Sequence, residues 1–171
     1  MRRPFHPSRL PSPRSLVRVA FALIAAFVAL AMMPRTAHAK TGATIGEALH
    51  LEVPGSPDAF YFKPRSKGPR PILMYLHGRG GNPAEDCRKW AKVGRQFGWV
   101  VCPQGPGDNG AGGRTWSTGA GDAQKVIDGA VAALRAKYHG RVQRHGNVLI
   151  GFSEGAFVAM QVGLKDQSTW T

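Results

Sequence analysis

Apolar positions between residues 49 and 164 alternate between two kinds of pattern. Pro71–Leu76, Trp99–Cys102 and Val148–Ile150 are short continuous apolar runs, as expected of parallel strands covered on both faces. Leu49–Val53 and Ala59–Phe62 flank the turn sequence Pro54-Gly55-Ser56-Pro57-Asp58 and read as two paired strands. Two stretches carry a 3.6-residue period instead. In the first, Ala84, Cys87, Trp90, Ala91, Gly94 and Phe97 share a face. Asn82 is placed to cap it, Pro83 to open it and Gly98 to stop it. In the second, which starts at Asp122, Ala123, Val126, Ile127, Ala130, Val131, Leu134 and Tyr138 make the apolar face, with Arg135 and Lys137 near the negative end. A third apolar helix is expected over 155–164. The order is strand, strand, then three strand–helix units, with no internal repeat. That pattern predicts an α/β fold with a mainly parallel sheet.

The first 39 residues stand apart. Arg2, Arg3, Arg9, Arg14 and Arg18 precede the apolar run Val19–Met33, and Ala37-His38-Ala39 follows Pro34 as a small-residue cleavage site. This is the pattern of an export signal, which places the protein outside the cytoplasm, secreted or periplasmic. The apolar run is shorter than the roughly 20 residues a membrane span needs, so no stable membrane insertion is expected after cleavage. An uncleaved signal anchor is the alternative. Residues 40–171 then form one domain. Six of the 23 basic residues and none of the 10 acidic ones lie in the signal, so the net charge falls from +13 to +7. The remaining basic residues are scattered with no basic run, which argues against nucleic acid as a partner.

Within the second strand–helix unit lies a long connection, residues 103–121; ordinary α/β loops are shorter, so it is expected to be either functional or mobile. It contains Gly105-Pro106-Gly107-Asp108-Asn109-Gly110, formally G-x-G-x-x-G. These glycines do not open a helix, so no helix N-terminus would receive a pyrophosphate, and no dinucleotide cofactor is inferred. Trp116 either lines a substrate pocket or pins the connection to the domain. Cys87 and Cys102 lie 15 residues apart, both toward the carboxyl edge of the expected sheet. In an exported chain they are expected to form a disulfide, with two buried thiols the alternative. Their spacing does not suit a metal site.

The most chemically specific stretch is Gly151-Phe152-Ser153-Glu154-Gly155, between an apolar strand and an apolar helix. A G-x-S-x-G turn in that setting lifts the serine hydroxyl clear of the backbone. Its glycines keep Cβ atoms out of the crossing, and it sets the helix N-terminus beside the serine. Ser153 is therefore the candidate nucleophile.

Together, Leu76–Gly81 (LHGRGG), Val100–Gly105 (VVCPQG) and Gly151–Ala156 (GFSEGA) resemble the α/β-hydrolase superfamily. Within it the likeness is to secreted polyhydroxyalkanoate-depolymerase-like and related carboxylesterases, and it extends from residue 49 to about 164. The resemblance implies ester hydrolysis by Ser153 without a cofactor, on a small-molecule or polymeric ester. It implies oxyanion donors in the backbone N–H groups of Arg79 and Glu154. The Arg79 side chain is read as a solvated loop arginine or a contact for a substrate carboxylate. In this family the histidine of the His77-Gly78 pair supports the loop, and the catalytic histidine follows the nucleophile in the chain. Here the 18 residues after Ser153 contain no histidine, and Asp166 is their only carboxylate. His139 and His145 read as polar loop residues, and His50 falls on an early strand. The expectation is a C-terminally truncated hydrolase domain, inactive as it stands. A non-catalytic polymer- or cell-wall-binding protein on the same scaffold, or a peptidase, are the alternatives.

Overall fold

The computed structural model describes residues 45–110 and 112–170; the expected export signal over residues 1–39 lies outside them. Strands β1 (Leu49–Leu51), β2 (Ala59–Phe62), β3 (Ile72–Leu76), β4 (Trp99–Pro103) and β7 (Val148–Gly151) form one sheet in the order β1-β2-β4-β3-β7. The helix-linked strands β4, β3 and β7 run parallel, whereas β1–β2 and β2–β4 pair antiparallel. The sheet is thus mixed. Its parallel part is where helices return the chain, and its antiparallel part is the hairpin joined by a turn.

Alternation along β3 and β4 builds two cores. Ile72, Met74, Leu76, Trp99 and Val101 point to one face, where they meet Val126, Ile127, Ala130 and Leu134 of α2 (Ala120–Lys137) and Val158 and Val162 of α3 (Glu154–Lys165). Leu73, Tyr75, Val100 and Cys102 point to the other, where α1 (Pro83–Phe97) contributes Cys87 and Ala91. Cys87 and Cys102 are disulfide-bonded, with Cα atoms 5.6 Å apart, and both are fully buried.

Helix ends follow local chemistry. The side chain of Asn82 accepts the N–H of Glu85, and Pro83 sits in the first turn of α1. Gly98 ends α1 in an extended conformation, φ −174°, so its freedom to take positive φ is not what is used. The reason for glycine is space: a Cβ there would run into the carbonyl of Pro71. Phe97, assigned to the apolar face by periodicity, is exposed, while Gly94 and Gly98 on either side of it are buried. Helix α2 begins at Ala120, two residues before Asp122, with Gly119 as a cap at φ 117° and no side-chain bond. Asp122 is therefore a first-turn acid facing the positive helix end.

At the amino end of the sheet Asn147 is fully buried. Its Oδ1 accepts the N–H of Ile72 at 2.8 Å, and its Nδ2 donates to the carbonyls of Arg144 and Thr169. Trp170 bridges Asn147 in parallel on the side of β7 opposite β3. Among the described residues that bridge is the only pairing on the outer side of β7. No helix among them is long and apolar enough to cross a membrane.

Candidate active site

The parallel strands deliver their loops to the same carboxyl edge. After β3 comes the loop 77–81, after β4 the connection 104–119, and after β7 the turn carrying Ser153. Ser153 has φ 51° and ψ −120°, the one non-glycine residue with positive φ among those described. A side chain tolerates that geometry only under constraint from its surroundings. The constraint is visible on both sides. A Cβ on Gly151 would collide with the backbone of Gly155 and Ala156, and one on Gly155 with the carbonyls of Leu76 and His77. Strand, turn and helix cross too closely for any residue but glycine at these two positions. Ser153 itself is exposed and its hydroxyl is not spent on capping α3.

The loop after β3 closes on this turn. A Cβ added to Gly78 would lie 3.3 Å from the Cβ of Ser153 and 3.0 Å from the Phe152 ring. Within the loop, Gly81 N–H donates to the Gly78 carbonyl at 3.0 Å and Gly80 N–H to the Arg114 carbonyl at 2.8 Å. The N–H groups of Arg79 and Glu154 take part in no hydrogen bond among the described residues. Two uncommitted amides thus flank an exposed serine. One heads a helix, where the unpaired N–H groups of the first turn concentrate positive potential.

Side chains lock these parts together. The Glu154 carboxylate accepts from Arg79 Nη2 at 3.0 Å, from Thr115 Oγ1 at 2.8 Å and from the Trp116 N–H at 2.9 Å. Burial pushes the Glu154 carboxyl pKa up, but the Trp116 N–H, the Thr115 hydroxyl and Arg79 outweigh it and hold the group below its ordinary value of 4.5. The Arg79 side chain is largely exposed, as a loop arginine, and pairs through Nη2 with Glu154.

The long connection is folded, not loose. Its strands β5 (Gly107–Asp108) and β6 (Arg114–Thr115) form a small hairpin. Arg114 donates from Nε and Nη2 to the carbonyls of Gly105 and Pro106, fastening the hairpin to the chain leaving β4. Trp116 is buried, donates from its indole N–H to the His77 carbonyl at 3.0 Å and lies against the His77 ring. Of the two roles the sequence left open for Trp116, this geometry is that of a pin holding the connection onto the loop after β3. Periodicity had no means of finding the hairpin, whose strands are two residues long.

The histidines are spread apart. His77 is fully buried; its Nδ1 lies 2.7 Å from the Gly78 carbonyl and its Nε2 accepts the Gly105 N–H at 3.0 Å. Both nitrogens are committed, so the ring supports the loop and is in no position to take a proton from Ser153. His50 pairs with Asp58 on the outermost hairpin. His139 and His145 lie between α2 and β7, at the opposite end of the strand from Ser153. Asp166 caps the turn after α3, accepting from Ser168 Oγ and Thr169 N–H.

No protein-family model matches the chain, and no curated protein matches it. Solved structures do. A bacterial membrane phospholipase A, described as a virulence factor, superposes with a TM-score of 0.51 at 18% identity over 93% of this chain and 50% of its own. An acylaminoacyl peptidase from Pyrococcus horikoshii gives 0.51 at 19% identity over 77% of this chain and 23% of its own. The chain thus spans half the length of the first and less of the second. With the strand order, the helices on both faces and the strained serine at the carboxyl edge of β7, these likenesses identify the architecture: the described residues have the α/β-hydrolase fold.

Proposed function

We propose that the protein is a serine hydrolase acting on carboxylic esters, with Ser153 as nucleophile and the backbone N–H groups of Arg79 and Glu154 as the oxyanion hole. The observation that carries this reading is the strained, exposed Ser153 between two amides that bind nothing else. A turn this costly is not needed to hold a helix or bind a surface. In the reaction, Ser153 Oγ would attack the ester carbonyl carbon and pass its proton to a general base. The carbonyl oxygen, now negative, would sit against the two amides, where preorganised donors are worth most. The carbon–oxygen bond to the alcohol then breaks as the alcohol takes the proton, and water releases the acid from the acyl-enzyme. None of the four described histidines stands at Ser153, so none of them is assigned as this base.

Phe152, next to the serine in the chain, and Phe157, a turn further along α3, are both exposed and favour an apolar acyl group or a polyester chain. That fits the depolymerase-like resemblance of the motifs, and the pattern of residues 1–39 supports export. The test is a fluorophosphonate probe on the natively expressed protein. A mass shift on the peptide carrying Ser153, lost in Ser153→Ala, is the expected result; no labelling of Ser153 overturns the reading. A second reading, a binding protein on this scaffold, draws on the distance of the histidines from Ser153. It predicts retention on a polyester or cell-wall polymer with no labelling.

A further inference from the structure

Two residues supply the proposed oxyanion donors, and their side chains also meet. Arg79 and Glu154 lie 75 positions apart in the chain, on the loop after β3 and at the head of α3, yet their guanidinium and carboxylate are 3.0 Å apart. The same carboxylate takes the Thr115 hydroxyl and the Trp116 N–H from the connection after β4. One side chain therefore gathers all three loops of the carboxyl edge. A backbone donor needs no particular side chain, so a glutamate directly after the nucleophile requires its own explanation.

We propose that the Glu154 carboxylate is a positioning residue, fixing the spacing between its own backbone N–H and that of Arg79 so that both face one oxyanion. This rests on the ester-hydrolase reading of the site. The physical argument is one of connection. The loop 77–81 is glycine-rich, with Gly80 at φ 69°, and is held by the Gly81–Gly78 and Gly80–Arg114 bonds and by the bonds of His77 to Gly78, Gly105 and Trp116, all within the loop or to the connection after β4. None of these reaches α3. The Arg79–Glu154 pair and the Thr115–Glu154 bonds tie that loop and its neighbour to the helix carrying the second donor. Oxyanion stabilisation depends on donors held in place before the charge appears. Loosening a clamp around a site raises the cost of assembling it in the transition state.

The clamp depends on ionisation. A neutral carboxyl has one acceptor oxygen fewer for three donors, and it loses the attraction of Arg79. The charged and titratable groups near Glu154 are Arg79 from the loop after β3, Arg114 beside Thr115, and His77 beneath Trp116. Arg114 is turned to the carbonyls of Gly105 and Pro106, and His77 is neutral with both nitrogens bonded. Lys165, the basic residue of α3, lies at its far end.

The test compares wild type with Glu154→Gln, Glu154→Ala and Thr115→Val by two readouts: amide hydrogen exchange of residues 77–81 and 105–116, and the rate of fluorophosphonate labelling of Ser153 against pH. At pH 7, Glu154→Ala is expected to speed exchange in both segments and to slow labelling about tenfold or more, the scale of weakening one oxyanion donor. Glu154→Gln keeps an acceptor for Trp116 and falls between the two. The pH profile separates positioning from mere support. Wild type and Glu154→Gln share any decline that other groups cause, but wild type shows a further loss of labelling as pH falls through the Glu154 pKa, which lies below the ordinary 4.5, and Glu154→Gln lacks that further step. Thr115→Val, which leaves residue 154 intact, keeps the clamp testable if the Glu154 variants fold poorly, and is expected to free the 105–116 segment. Wild-type exchange in residues 77–81 of Glu154→Ala overturns the proposal, as does faster exchange with unchanged labelling. If wild type itself is not labelled at Ser153, the hydrolase reading falls, and the exchange data alone decide whether Glu154 holds the loops.

Discussion

The imidazole Nε2 of His77 accepts the backbone N–H of Gly105 at 3.0 Å, so the ring is neutral and its proton sits on Nδ1, toward the Gly78 carbonyl. Burial lowers the pKa of His77 below 6.5; the Gly78 bond and the charges of Asp86 and Glu154 pull it back up only in part. In the window below 6.5 the unfolded chain binds this proton more readily than the folded one. The stabilisation is complete above pH 6.5 and declines as pH falls toward the folded value. Urea midpoints measured from pH 7.5 to 5 should therefore fall in wild type and show a shallower slope in His77→Leu. At pH 7.5 that variant should cost about 1–3 kcal/mol, because the Gly105 N–H is left buried without a partner.

Ser153 holds a conformation that suits glycine. Ser153→Gly should remove strain worth about 1 kcal/mol and raise the urea midpoint, while abolishing labelling by a serine-directed probe. Ser153→Ala should abolish labelling without that gain, because alanine keeps the Cβ. A pair of denaturation curves checks it; equal midpoints for the two variants would show that the turn is relaxed.

Gly151 and Gly155 face backbone atoms, which have nowhere to go. Alanine at either should cost about 1–3 kcal/mol, the range for overpacking, and displace Ser153. Gly163, also in α3, has no atom within 4 Å of an added Cβ. Gly163→Ala should stabilise by about 0.5–1 kcal/mol through helix propensity. Thermal melts of the three variants side by side separate crowding from propensity.

Reduction of the Cys87–Cys102 bond should lower stability. For a loop closed over 15 residues the chain-entropy expectation is about 3 kcal/mol. Both sulfurs are buried, so reduction should be slow in native buffer and fast in denaturant. Thiol trapping with and without urea reads this directly.

Local features of this molecule were legible from local sequence. Asn82 and Pro83 announce α1 because capping is a contact across three residues. Glycines two before and two after Ser153 announce the turn because the crowding they relieve is built into a strand–turn–helix crossing. The apolar face of α2 matched its buried residues because it packs on one sheet face along its whole length. What could not be read was convergence. Nothing near residue 154 says that its side chain will meet Arg79, Thr115 and Trp116, since those partners arrive only when three strands align. The β5–β6 hairpin was hidden for the same reason: its strands are too short for a period, and Arg114 secures them by bonds to Gly105 and Pro106. Buried Asn147, joining β3, β7 and the turn after α3, likewise carries no local sign.

Helix α3 seats Gly155, Val158 and Val162 against the sheet, while Phe157, Met160 and Leu164 stand outward at 69%, 56% and 67% exposure, with Phe152 at 66%. An amphipathic surface helix would carry polar groups at those outward positions. This flank of the described domain is sticky to itself and to any greasy solute. Light scattering should rise with concentration and fall in mild detergent, or when Phe157 and Leu164 are exchanged for lysine. Handling of the protein at the bench will be governed by those few rings and methyls more than by its net charge.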